Sequence, residues 1–347
     1  MRAILPLLLL AGCSTVASVP SQVASNVAPN VAAVAETDPV DTAADAADDP
    51  AIWRNPRDPA QSLVIGTDKK AGIHVYDLTG KRVSFTPAAR LNNVDLRDLG
   101  AGRVIAAASD RADVAQAHVS LFRLDTAARR LVPIGRYPVG PGEAYGMCLW
   151  TRAKDKALFG FVVLKDGRID QVRIELGGDL AGPSPRVTTV RSMKLGTQAE
   201  GCVVDDRTGL LYVAEEDVGL WRFAADSAAP TTATPIAQVD GKTLVADAEG
   251  LALAPSGRTG GYLVASSQGD NAYTLYRLPG VTYAGRFRIA GGEHDGTSDT
   301  DGIELTLGDF GPDYPKGLFV AQDGDNAPDT QNFKYASWAQ VLKALGL

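Results

Sequence analysis

The chain has 347 residues, 22% of them charged and 45% hydrophobic, and a formal net charge of −7. The length is ample for a buried core, and the acidic balance argues against a nucleic-acid partner. With only three histidines in the chain, a histidine-rich zinc site is not expected.

The first predicted element is a targeting segment. Arg2 precedes the apolar run from Ala3 to Leu10, and Leu10-Ala11-Gly12-Cys13 follows. The run is too short to span a bilayer as a helix. It looks like a bacterial lipoprotein signal over residues 1–12, cleaved before a lipidated Cys13. An ordinary secretory signal with an incidental cysteine is the alternative, and either one predicts an exported chain anchored, at most, to the cell envelope. Residues 13–35 are mostly Ala, Val, Ser, Asn and Pro without periodicity, the composition of a tether.

From residue 36 to 347 the sequence repeats. Six short apolar runs each follow a turn-like acidic, amide or aromatic residue, beginning at Asp49, Asn93, Tyr145, Glu200, Glu249 and Asp301. With Pro50, Val94, Gly146, Gly201, Gly250 and Gly302 as equivalents, the steps are 44, 52, 55, 49 and 52 residues. Second runs follow (such as Leu63 to Gly66 and Leu210 to Ala214), then third runs (Gly72 to Tyr76, Ile169 to Ile174) and weaker fourth ones (Val187 to Met193). Four short strands per period of about fifty residues predict one blade each. The expected fold is therefore all-β: a six-bladed β-propeller with four-stranded antiparallel blades, in a single domain. A segment around Glu36 to Ala47 is expected to supply an outer strand to the last blade. Trp338 to Leu345 is the best helical exception.

A propeller brings the starts of all its inner strands to one rim, and the ends of the second strands share that edge. Those second strands end in Lys69-Lys70, Asp110-Arg111 and Lys165 in the first three repeats, and in Glu215-Glu216-Asp217, Gln268-Gly269-Asp270 and Asp323-Gly324-Asp325 in the last three. Together with Asp48, Asp49, Glu200, Asp247, Glu249, Asp295, Asp299 and Asp301, one rim carries carboxylates all round and cations on one side. So many carboxylates need cations, and hard oxygen donors favour calcium, with magnesium second. The run from Asp295 to Asp301 resembles a calcium loop in spacing but lacks the glutamate of an EF-hand. Metal ions beside Lys and Arg suit a phosphate ligand. Cys148 and Cys202 occupy matching places in neighbouring repeats, either as a disulfide in an oxidising compartment or as two small buried hydrophobes. Neither fits a phosphatase loop of Cys-x5-Arg spacing, since Arg207 falls one residue short.

In order and spacing, several stretches resemble the β-propeller phytases: Asp48 to Trp53, Gly66 to Lys70, Leu91 to Asp95, Glu200 to Cys202, Tyr212 to Asp217, Ala265 to Gly269, Asp295 to Gly302 and Phe319 to Gly324. The resemblance implies a calcium-dependent phosphoric monoester hydrolase of the 3-phytase type, with several calcium ions at the mouth of a central channel. It implies phytate, or its calcium complex, as substrate, and attack on phosphorus by a calcium-bridging water without a phosphoenzyme. By motif match it makes Lys69, Arg111, Tyr145 and Lys165 phosphate-holding groups, with Lys70 beside them. Glu200, Glu216, Glu249, Asp301, Asp48 and Glu36 correspond to the central calcium ligands, and Asp247 and Gln268 to an adjoining site. Asp49, Asn92, the Val94 carbonyl and Asp295 correspond to a stabilising calcium site. A monomer is expected, with no nucleic acid and no membrane contact beyond the lipid anchor. A non-catalytic calcium-stabilised propeller and a metal-dependent lactonase are the rival readings. Neither would need the basic half of the rim.

Overall fold

Strands buried on both faces read as continuous apolar runs, and the second strands of this chain fold that way. Leu158–Leu164 and Gly317–Asp323 are buried at every position. The computed structural model describes residues 27–177 and 185–347, so the expected signal segment and Cys13 lie outside the described residues.

Among the described residues, six sheets are formed, five of four strands and one of five. Their inner strands are Ala47–Trp53, Leu91–Asp98, Ala144–Thr151, Ala199–Asp205, Ala248–Ser256 and Ile303–Leu307. Each touches the next, and the last touches the first, which closes the ring. This is the six-bladed propeller that the repeat predicts. The core lies between blades: Trp53, Ile65 and Leu96 join the first two, and Tyr273, Phe287 and Phe319 the last two. Trp338–Leu345 is the expected helix, with Gly346 as its left-handed cap.

The N-terminal strap completes the ring. Ala35–Glu36 pairs antiparallel with Asn332–Ser337 as the fourth strand of the last blade, and Thr37 and Val40 continue the bonding to Phe333 and Gln331. Folded structure also begins earlier than the tether boundary at residue 35. Asn30–Ala32 adds a fifth, parallel strand to the fifth blade, beside Thr282–Ala290. Three residues are too few to carry a readable period.

Candidate active site

Five of the six inner strands skip a beat at their first turn of ladder. The register slips between Ala47 and Pro50, Leu91 and Val94, Ala144 and Gly146, Ala199 and Cys202, and Ala248 and Leu251. The residues left out of the ladder are Asp48 and Asp49, Asn92 and Asn93, Tyr145, Glu200 and Gly201, and Glu249 and Gly250. A bulge frees its extra residue from pairing and re-aims its side chain. Here the freed residues include most of the candidate ligands. The repeat glycines have a matching cause. A Cβ on Gly146 would sit on the Glu200 carbonyl oxygen, and one on Gly201 on that of Glu249. Blades meet so closely at this rim that only glycine fits.

The mouth is a cavity of 710 Å³ whose lining includes Lys69, Tyr145, Glu216, Asp247, Glu249, Gln268 and Asp301. At its base, Glu200, Glu216 and Glu249 are all buried and bring carboxylate oxygens within 4.8 Å of one another. Burial first, then Asp48 and Asp301, pushes the Glu200 carboxyl well up, and burial with Glu200 does the same to Glu249. Asp301 rises to about 7 because burial outweighs the attraction of Lys69. Glu216 Oε1, Glu249 Oε2 and Asp48 Oδ2 are buried without a hydrogen-bond partner. Orphaned carboxylate oxygens cost stability unless something cationic meets them. An all-oxygen set with no histidine or thiolate suits a hard divalent cation. The residues present therefore fit a metal centre. Gln198 Nε2 orients Glu216 through Oε2 at 2.7 Å, Gln268 Nε2 donates to Asp301 at 2.7 Å, and Asn92 Nδ2 donates to Glu200 at 2.7 Å.

The cations stand beside these acids. Lys69 is almost wholly buried, 3.2 Å from Asp48 and 3.0 Å from Asp301. Burial alone would lower its pKa, but these carboxylates and Asp45 hold the ammonium charged, well above the usual lysine range. Tyr145 lies between two more: the Arg111 guanidinium is 5.4 Å from its ring centroid and the Lys165 ammonium 5.1 Å. Ser109 Oγ anchors the Tyr145 carbonyl at 2.5 Å. Burial first, then Glu200 and Glu249, keeps the phenol protonated far above its usual value.

Three expected residues have other partners: Lys70, Glu36 and Asp295. Lys70 is exposed and donates to the Ala43 carbonyl at 2.9 Å, so it braces the strap and does not line the cavity. Glu36 leaves the central cluster: its carboxylate binds Lys334 at 2.5 Å and faces His294 at 3.2 Å. Burial would raise Glu36, but the Lys334 hydrogen bond and charge outweigh it and bring it down to about 2. Asp295 also pairs with Lys334, which lies 3.3 Å from Asp323. Of the residues expected at a stabilising site, Asp49 accepts the Val94 N–H at 2.9 Å, while Asn92 donates to Glu200 and Asp295 meets Lys334. Sequence reading missed Asp45, Gln198, Gln331 and Lys334. Only Asp45 had a signal, as the first acid of the run Asp45 to Asp49.

Cys148 and Cys202 form a disulfide, with Cα atoms 5.7 Å apart. It joins the inner strand that presents Tyr145 to the one that presents Glu200.

A propeller whose mouth sets buried carboxylates against lysine and arginine has the donors to hold a hard cation and an anionic ligand side by side. The sequence profile of the phytase family matches residues 2–347. The 3-phytase of Bacillus subtilis (strain 168) is 41% identical over 332 residues, covering 91% of this chain and 85% of that protein. A putative glucose dehydrogenase from Thermus thermophilus is 13% identical with a TM-score of 0.50, covering 86% of this chain and 98% of that one, which shows the fold alone. The chain belongs to the phytase family, and with it to the phosphoric monoester hydrolases.

Proposed function

We infer that this chain is a calcium-dependent phytase, acting outside the cytoplasm, that removes phosphate from phytate by direct attack of water. One observation carries the reading: three clustered buried glutamates, two of them with orphaned oxygens, stand at a mouth lined by Lys69 and by Tyr145, whose ring Arg111 and Lys165 approach. Acids outnumber cations there, so a polyanion would be repelled by the bare protein. Glu200, Glu216, Glu249, Asp301 and Asp48 would hold calcium, with Asp247 and Gln268 beside them. Calcium, when bound, supplies positive charge to the phosphoryl oxygens and lowers the pKa of water.

The chain's own groups do the rest. Arg111 and Lys165, set against the Tyr145 ring, grip phosphate oxygens from one side while Lys69 neutralises charge from the other. Tyr145 stays a neutral donor. The lipoprotein-like pattern ending at Cys13 supports export with a lipid anchor, and the disulfide agrees with an oxidising compartment.

Phosphate release from phytate, with calcium and with a chelator, tests the activity. Release that depends on calcium is expected; equal release in chelator would overturn it. Replacing Cys13 with Ser should free the mature protein from membranes, and identical fractionation would refute the anchor.

A further inference from the structure

The strap that closes the ring also crosses the mouth. It is pinned on both sides of Asp45: Thr42 N–H donates to Asp68 at 3.1 Å, and the Ala46 and Ala47 N–H groups both donate to Gln331 Oε1, at 2.6 and 2.9 Å. Lys70 holds the Ala43 carbonyl from the side. Between these anchors Ala44 adopts φ +60°, a conformation that alanine rarely takes and that the surrounding bonds impose. The constrained turn delivers the Asp45 carboxylate to Lys69, with Oδ1 2.5 Å from Nζ.

Lys69 faces three carboxylates: its Nζ donates to Asp301 at 3.0 Å, and Asp45 and Asp48 stand 2.5 and 3.2 Å away as ion pairs. A phosphate oxygen that approaches Lys69 must compete with this fixed negative charge, and it competes best if one carboxylate lets go. Asp48 is 1% exposed and Asp301 20%, whereas Asp45 is 72% exposed and stands on the cavity side. Releasing a buried carboxylate leaves a charge uncompensated, while an exposed one passes to water at little cost.

We propose that Asp45 is a displaceable competitor, a carboxylate that substrate phosphate replaces on Lys69, and that it sets the affinity of this site. It favours dianionic phosphate over singly charged ligands, because only the stronger charge repays the exchange. The proposal rests on Lys69 as a phosphate-holding group.

The test compares wild type with Asp45→Asn and Asp45→Glu in saturating calcium, using phytate as substrate and inorganic phosphate as inhibitor. Asp45→Asn should lower both KM and the phosphate inhibition constant about two- to fivefold, the size expected of one exposed ion pair. Asp45→Glu keeps the competing charge and should stay near wild type. The calcium concentration for half-maximal binding, followed by calorimetry, should be the same in all three. Unchanged or higher KM and inhibition constants in Asp45→Asn would overturn the proposal. So would a weakened calcium midpoint, which would make Asp45 a metal ligand. If wild type itself released no phosphate from phytate, the reading of the site would fail separately. Inorganic phosphate binding by calorimetry would still decide the role of Asp45, with tighter binding in Asp45→Asn supporting it and equal binding refuting it.

Discussion

The two halves of the mouth use the same strand positions for opposite chemistry. In blades one to three, the ends of second strands supply Lys69, Arg111 and Lys165. In blades four to six, the bulged starts at Glu200 and Glu249, the turn after a second strand at Glu216 and the approach to the last inner strand at Asp301 supply the acids. A ring of near-identical sheets thus makes an asymmetric site by changing side chains alone, because closure brings both halves to one rim whatever they carry. The basic half resembles a phosphate clamp and the acidic half a cation cradle. Neither suffices, since the clamp is outnumbered by acids and the cradle has orphaned oxygens.

Breaking either half should therefore abolish the same activity by different routes. Arg111→Ala should cost about 10²–10³-fold in kcat/KM, as the loss of one oriented donor to a developing oxyanion does. Its calcium binding should remain intact. Glu216→Gln should lose activity and calcium affinity together. Full activity in either variant would remove that residue from the site. Calorimetry beside the kinetics separates the two outcomes.

Chelation should act on the acidic half alone. A cation held only by the folded state stabilises it by about 2.7 kcal/mol at a hundredfold excess over its Kd. The melting temperature should fall with chelator in wild type and equally in Arg111→Ala. An unchanged melting temperature would argue against a metal in the cradle.

The disulfide spans the seam between the halves. Reducing it, or replacing Cys148 and Cys202 with Ser, should cost about 2–4 kcal/mol, read as a lower urea midpoint. Equal midpoints with and without reductant would show that the ring holds its seam without the bridge.

The smallest effect concerns pH in the chelated protein. Asp301 is raised to about 7 in the fold, chiefly by burial, against an ordinary value of 3.8. The native state then holds a proton that the unfolded chain releases, so stability should fall as pH rises from about 4 to about 7. The mouth is open to water, which limits the effect to about 1 kcal/mol. With calcium present the carboxylate is held ionised in the fold as it is in the unfolded chain, so the slope over this window should flatten. An equally steep slope in calcium and in chelator would mean that the cation does not bind through Asp301.

Much of this architecture was legible in the sequence because the ring imposes it. Gly146, Gly201, Gly250 and Gly302 recur since each inner strand starts against the next blade's backbone, and a side chain there has no room. Acids and cations recur beside them because the rim gathers strand ends. What was not legible depends on contacts across the fold. Lys334 sits in an apolar strand with nothing in the sequence to mark its burial, yet it claims Glu36 and Asp295. Lys70 follows Lys69 directly but faces the other way, as neighbours across a turn do. The choice between a disulfide and two free thiols at Cys148 and Cys202 also needed the distance between strands, which spacing alone did not supply.

Calorimetric titration of wild type with inorganic phosphate, once in calcium and once in chelator, tests most directly whether the acidic half makes the basic half competent. Saturable binding in calcium and none in chelator is the predicted result. Phosphate binding of equal strength in both would contradict it, because the clamp would then hold phosphate without the cations.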